Sequence, residues 1–235
     1  MLKAQINKKR RELNISVSLE LETGDSVGLF GASGAGKSTV LACIAGLEEP
    51  DDGLVELENL RFYPPSLPLH KRPIGYLTQD PGLFPHLSVR ENICFGIHKS
   101  QEREKQQLDW IATLRERLQL GPVWNAPASL ISAGQARRAG LARMLARKPP
   151  LVLLDEPFAG LDRQLVRELI DDLVYWSQTM GFSMIAVDHQ AEVLKRLCPR
   201  QAVVLEQGKI VQQGSWQELC SAPATPLLRS LLAPL

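Results

Sequence analysis

A chain of 235 residues, 44% hydrophobic and 23% charged, holds enough apolar material for one large domain or a core with a smaller lobe. Twenty-seven basic residues against 26 acidic ones leave a net charge of +1, so no global field recruits nucleic acid or anionic lipid. No apolar run approaches the roughly 18 residues of a bilayer span. The basic stretch Met1 to Asn14 lacks the apolar segment of a signal peptide, so a cytosolic-facing protein is expected.

Residues 1 to 30 read as strands. Ile15, Val17, Leu19 and Leu21 alternate with polar partners, and Gly24-Asp25 turns the chain into the apolar run Ser26 to Phe30. Lys8-Lys9-Arg10-Arg11 is expected to be a solvated turn. The segment Gly31-Ala32-Ser33-Gly34-Ala35-Gly36-Lys37-Ser38-Thr39 then fits the spacing G-x-x-x-x-G-K-[ST] of a phosphate-wrapping turn. Glycines let successive backbone N–H groups point inward, where a Cβ would obstruct the anion. Lys37 supplies a point charge for the outer phosphates, and the hydroxyl of Ser38 is a ligand for Mg²⁺. Thr39 to Gly46 reads as a helix whose positive end faces the anion.

Leu54 to Leu57 and Ile74 to Leu77 are predicted as short strands flanking a rigid Pro64 to Pro68 loop. From Gln79 the texture becomes helical. Ser88 caps a helix through Asn92, and Ser100 to Leu120 is a helix with Leu108, Ile111, Leu114 and Leu118 on its apolar face. Ala133 to Arg147 is a third helix, so residues 80–148 form a helical subdomain between two parts of an α/β core, 1–79 and 149–235. Leu151 to Leu154 has the continuous apolar character of a strand buried on both faces. A helix from Leu165 to Thr179, a strand from Ser183 to Val187, a helix from Glu192 to Leu197 and a hairpin around Gln207-Gly208 follow. The tail from Trp216 to Leu235 is predicted as one helix. The scattered cysteines Cys43, Cys94, Cys198 and Cys220 lack metal-site spacing and read as free buried thiols.

Asp155 and Glu156 end the apolar strand at the sheet edge where open α/β folds bind ligands. Asp155 suits Mg²⁺ held through water, and Glu156 is placed to polarise a water attacking a terminal phosphate. Read alone, the pair would also serve to cap the next turn. The phosphate loop upstream favours the chemical role.

Gly31 to Thr39, Ile131-Ser132-Ala133-Gly134-Gln135, Leu151 to Pro157 and Gly160-Leu161-Asp162 together resemble the ATPase subunit of ABC transporters over residues 15 to 220. The resemblance implies a P-loop NTPase core with a parallel sheet, an N-terminal antiparallel β subdomain and an inserted α-helical subdomain. It assigns Gly31, Ser33, Gly34, Ala35, Gly36, Lys37, Ser38 and Thr39 to nucleotide binding, and Ser38, Gln79 and Asp155 to Mg²⁺. Glu156, His189 and Gln79 become the catalytic group. Ser132, Ala133, Gly134 and Gln135 become a signature that contacts ATP bound by a second subunit, with Asp162 in a loop at the dimer interface. Two copies would then pair head to tail around two ATP molecules.

Three positions depart from the family's usual pattern. Ala133 replaces a glycine, Asp188 precedes the histidine where a small hydroxyl residue is common, and no aromatic residue occurs before Phe30 to stack on adenine. The base is therefore expected on an aliphatic or arginine side chain near Arg10 or Arg11, with weakened base selectivity. The run Gln79 to Gly96 is similar to importers fed by a solute-binding protein, and the segments Lys71 to Tyr76 and Leu83 to His86 are most like molybdate and related oxyanion importers. Leu83, Phe84, Leu87 and Val89 are expected to line a groove for a helix of a separate integral membrane permease, which places the chain at the cytoplasmic face of the membrane. A soluble cassette acting on DNA or ribosomes would show a tandem cassette, a long coiled-coil insertion or a basic face, and none is present. An ABC subunit serving another solute class stays open.

Overall fold

The computed structural model describes residues 1–10, 13–97 and 104–232. One ten-stranded sheet runs through it in the order β5-β4-β1-β2-β10-β9-β3-β8-β7-β6. Its core half is parallel: β9 (Gln201–Glu206), β3 (Ser26–Phe30), β8 (Ser183–Val187), β7 (Leu151–Asp155) and β6 (Ile74–Leu77). The other half is antiparallel: β2 (Leu13–Leu21), β1 (Leu2–Arg10), β4 (Asp52–Leu57) and β5 (Leu60–Tyr63). β10 (Lys209–Gly214) joins the halves, antiparallel to β9 and bridged to β2 at Lys209 and Ser16.

The apolar run of β7 is explained by burial on both faces. Because successive side chains alternate, Leu151 and Leu153 enter the core shared with β1, β2 and α1 (Lys37–Ala45). Val152 and Leu154 enter the core beneath the remaining helices. α1 lies between the parallel and antiparallel regions and buries Val40, Leu41, Cys43, Ile44 and Ala45, so it is apolar nearly all round. Its C-terminus is held by the fully buried guanidinium of Arg72, which donates to the carbonyls of Cys43 (3.0 Å), Ile44 (2.8 Å), Phe62 (3.2 Å) and Leu67 (2.8 Å). A cation there also complements the helix dipole.

The helical lobe comprises α2 (Val89–Cys94), α3 (Glu104–Arg117) and α4 (Ala133–Ala146). α5 (Arg163–Met180) and α6 (Ala191–Leu197) cover the parallel strands. Capping boxes start α2 at Ser88 with Glu91 and α4 at Ser132 with Gln135. Ile111 and Leu114 of α3 are buried as predicted, but Leu108 is 60% exposed and does not belong to the apolar face. Residues 100–103 of the predicted helix lie outside the described residues.

Three local expectations are corrected. Lys8, Lys9 and Arg10 form the end of β1 rather than a turn, paired with Ile15, Asn14 and Leu13. Acidic neighbours hold this charged strand end: Lys8 and the Lys9 amide each bind Asp51 at 2.7 Å, and Arg10 binds Glu48. The tail is two helices, α7 (Trp216–Ser221) and α8 (Pro226–Leu232). Pro223 lacks the N–H needed to continue α7, while Pro226 suits a first helical turn. Of the cysteines, Cys43 and Cys198 are buried, but Cys94 and Cys220 are exposed.

Candidate functional site

The phosphate-loop segment connects β3 to α1, and its backbone demands the glycines found there. Gly31 has φ 146°, and a Cβ on it would lie 2.2 Å from the carbonyl oxygen of Leu205. Gly36, at φ 103°, makes the left-handed step into α1. No side chain caps α1, whereas Ser88, Ser132, Asp162 and Ser215 cap α2, α4, α5 and α7. The first amides of α1 are thus left for an anion, at the positive end of the helix.

Lys37 is buried at the first position of α1, and its ammonium donates to the carbonyls of Gly31 (2.9 Å) and Ala32 (2.8 Å). Burial holds its pKa below the ordinary lysine value, against the opposing pull of the Glu156 and Asp155 carboxylates. The Ser38 hydroxyl donates to Oδ1 of Asp155 at 2.9 Å, so β7 delivers its terminal carboxylate to the loop 117 residues earlier. Glu156 follows in a left-handed conformation, φ 49°, with its amide bonded to Val187 O at 2.9 Å. Such a conformation is costly for a residue with a Cβ and turns the side chain off the strand's ordinary alternation. Its Oε1 lies 2.7 Å from Nε2 of His189, which follows β8.

These elements enclose a cleft of about 200 Å³ lined by Leu13, Ser33, Gly34, Gly36, Lys37, Ser38, Thr39, Glu156 and His189. Ser38 lines the cleft and its hydroxyl is bonded to the Asp155 carboxylate, so two hard oxygen donors that suit Mg²⁺ stand side by side at this edge of it.

Other expected residues stand apart. Gln79 is exposed and does not line the cleft. Ser132 and Ala133 are exposed at the start of α4, where Ser132 Oγ accepts from the Gln135 amide at 3.3 Å and Gln135 Oε1 from the Ser132 amide at 2.9 Å. Gly134 faces α5 so closely that a Cβ would lie 2.8 Å from Leu165. Asp162 caps α5, accepting from the amides of Gln164 and Leu165 at 3.0 Å each. Val89 is fully buried and does not line a surface groove; Leu83, Phe84 and Leu87 are half-buried.

Sequence reasoning missed three participants. Tyr76 donates its hydroxyl to Asp155 Oδ2 at 3.2 Å, and burial beside that carboxylate pushes the phenol's pKa well up. Leu13 enters the cleft from the start of β2. Arg137 of α4 donates to the carbonyls of Thr78 (2.5 Å) and Gln79. The alternation of β6 beside β7 held a signal for Tyr76 once the two strands were paired; nothing in the sequence marked the other two.

A family profile described as "ABC transporter" matches residues 15–159. The chain is 37% identical over 216 residues to a probable sulfate/thiosulfate import ATP-binding protein CysA of Chlorella vulgaris, covering 92% of this chain and 90% of that protein. It is 36% identical over 223 residues to the molybdate/tungstate import ATP-binding protein WtpC of Thermococcus kodakarensis, covering 94% of this chain but 66% of the relative. The fold superposes on a dimeric ATP-binding cassette in a post-hydrolysis state with ADP and Pi, with TM-score 0.75, 25% identity, and coverage of 92% of this chain and 98% of that one. The profile match and these relatives show the family: the chain belongs to the ABC transporter family, as an ATP-binding ATPase subunit.

Proposed function

We propose that this subunit hydrolyses ATP in a composite site completed by a second cassette, and so drives uptake through a separate membrane permease. The observation that carries the proposal is the position of Ser132: its helix start is exposed and outside the cleft that gathers Lys37, Ser38, Asp155, Glu156 and His189. A second copy related by a two-fold axis presents its own Ser132 and adjacent amides to the open side of each cleft. Asp162 and Ala133 lie at that interface in the same arrangement. The division follows: residues 1–79 and 149–235 bind nucleotide, and 80–148 carry the signature.

Within the site, the α1 amides and Lys37 hold the phosphates, and Glu156 accepts a proton from the attacking water. His189 holds the Glu156 carboxylate in place. Ser38, Asp155 and Gln79 would hold Mg²⁺, which supplies charge neutralisation across the outer phosphates. Tyr76 and Ser38 orient Asp155 from two sides.

The relatives' names support a tetrahedral oxyanion of the sulfate and molybdate class as the solute; its delivery by a solute-binding protein is part of the proposal. Among the described residues no helix is long and apolar enough to cross a membrane; in this proposal the subunit sits at the cytoplasmic face, held there by the permease. The docking surface centres on Phe84, whose ring packs at a tilt against the 55%-exposed Phe95, 4.5 Å between centroids. The test is to load a Glu156→Gln variant with ATP and measure its mass in solution. A stable dimer without hydrolysis is expected; wild-type turnover, or hydrolysis at full rate by a strictly monomeric chain, overturns the proposal.

A further inference from the structure

The helix that begins at Ser132 also grips the segment that carries Gln79. Arg137, 5% exposed, donates through Nη1 to Thr78 O at 2.5 Å and through Nη2 to Gln79 O. Farther along α4, Arg143 donates to Pro81 O at 2.7 Å and Gly82 O at 2.8 Å. Between them Gly140 admits the loop itself, since a Cβ there would meet Pro81 at 2.7 Å. Four carbonyls within five residues are thus tied to one face of one helix. A guanidinium presents its donors in a rigid planar fork, so bridging two successive carbonyls fixes the peptide between them, which a lysine's single ammonium cannot do as well.

Every one of these hydrogen-bond acceptors is a backbone carbonyl, so the bonds specify geometry, while the nearby Asp80 carboxylate adds a charge attraction to both guanidiniums. The arrangement has a direct consequence for Gln79, whose Cα lies between the two carbonyls that Arg137 holds. Ser132 stands five residues before Arg137 on the same hydrogen-bonded rod, roughly 7–8 Å along its axis. Movement of the signature end of α4 therefore carries the Gln79 backbone with it. The Phe84 surface is attached to the same unit through the Arg143 guanidinium, 5.7 Å from the Phe84 ring centroid.

We infer that Arg137 is a positioning residue for Gln79: it makes the signature helix and the Gln79 segment one rigid body, so that the signature moves toward the second subunit's nucleotide as Gln79 moves toward the nucleotide of its own cleft. The inference rests on the composite-site reading above. The experiment compares wild type with Arg137→Ala, Arg137→Lys and Arg137→Gln. Amide hydrogen exchange over residues 78–82 is followed in the nucleotide-free protein, Mg²⁺ binding to the complex with a non-hydrolysable ATP analogue is measured by calorimetry, and kcat and KM are separated.

Arg137→Ala should raise exchange over 78–82 about tenfold, weaken Mg²⁺ binding about tenfold and lower kcat about 10–100-fold, with KM for ATP changed less than about threefold. Arg137→Lys should fall between it and wild type. If the alanine variant does not fold, the lysine and glutamine variants carry the comparison. A variant that melts earlier but keeps wild-type exchange over 78–82 and wild-type Mg²⁺ affinity overturns the inference and leaves Arg137 a packing residue. Wild type that shows no Mg²⁺-dependent hydrolysis overturns the composite-site reading as well, so the two failures are distinct.

Discussion

Nε2 of His189 lies 2.7 Å from Oε1 of Glu156, and the amide of Glu156 is bonded to the carbonyl of Val187, two residues before that histidine. Glu156, the proposed general base, is therefore tied to the end of β8 through both its backbone and its side chain. A strained turn at φ 49° persists only when its surroundings over-determine it, and these two bonds do so. Glu156→Gln keeps the shape and removes the basicity, so hydrolysis should fall about 10²–10⁴-fold while ATP affinity is retained. His189→Ala leaves the base chemically intact but free to rotate, so its loss should be smaller and confined to kcat. Single-turnover rates with saturating nucleotide separate the two; equal losses in both variants would show that His189 does more than hold the carboxylate.

Leu13 is the one apolar side chain among the described residues lining the cleft, opposite Arg10 in the β1–β2 ladder. An aliphatic surface excludes water from a base but offers neither an aromatic face nor a hydrogen bond with which to tell adenine from guanine. ATP and GTP should therefore be hydrolysed with kcat/KM values within about tenfold of each other. Leu13→Tyr should tighten ATP binding about tenfold, the lower end of what a base–aromatic stack provides. Nucleotide titrations of both proteins check this, and a strong ATP preference in wild type would refute it.

The parts of the site that the sequence disclosed are those where backbone geometry or solvent exclusion restricts the choice of residue. Gly31 and Gly36 occupy conformations or contacts that a Cβ spoils, and Asp155-Glu156 interrupts a strand otherwise buried on both faces. Tyr76, Leu13 and Arg137 obey ordinary strand or helix patterning, and what makes them functional is a contact with residues 79, about 20 or 58 positions away. The same limit explains Leu108, which has the right spacing for the apolar face of α3 but finds no neighbour to cover it. It also explains the basic run of β1, which reads as a turn until Asp51 and Glu48 are brought beside it. Periodicity describes one element; these roles belong to pairs of elements.

The half-buried Phe84 ring packs with the exposed Phe95 and His86 and with the Arg143 guanidinium, while its backbone is fixed by the buried Asn92, which accepts from the Phe84 amide at 2.8 Å and donates to its carbonyl at 3.0 Å. The ring is thus presented on a rigid mount, the property expected of an anchor for a partner helix. Phe84→Glu places a charge where an apolar contact must form, so uptake by the assembled transporter should fall at least about tenfold. Hydrolysis by the isolated subunit should stay within about twofold of wild type. Uptake in proteoliposomes and hydrolysis in solution are the paired measurements, and unchanged uptake would remove Phe84 from the docking surface.

Asp188 is buried at the end of β8, with Oδ1 accepting from the amide of Gln190 at 2.8 Å. Burial raises its pKa above the ordinary aspartate value and the nearby Glu156 carboxylate adds to the rise, while the Gln190 and His189 amides and the His189 side chain oppose it. The folded protein therefore holds a proton at Asp188 in a pH range where the unfolded chain has already released it. Stability associated with this group is fully present below the unfolded pKa of about 3.9 and is lost as pH rises through the folded value. Asp188→Asn retains an acceptor for the Gln190 amide and removes the ionisation. The variant should melt about 2–4 °C above wild type at pH 7, with the gap closing as the pH is lowered toward 4. Melting curves of both proteins across that range test the sign, because a gap that is constant with pH, or reversed, would mean that the carboxylate is stabilised in the fold rather than penalised by it.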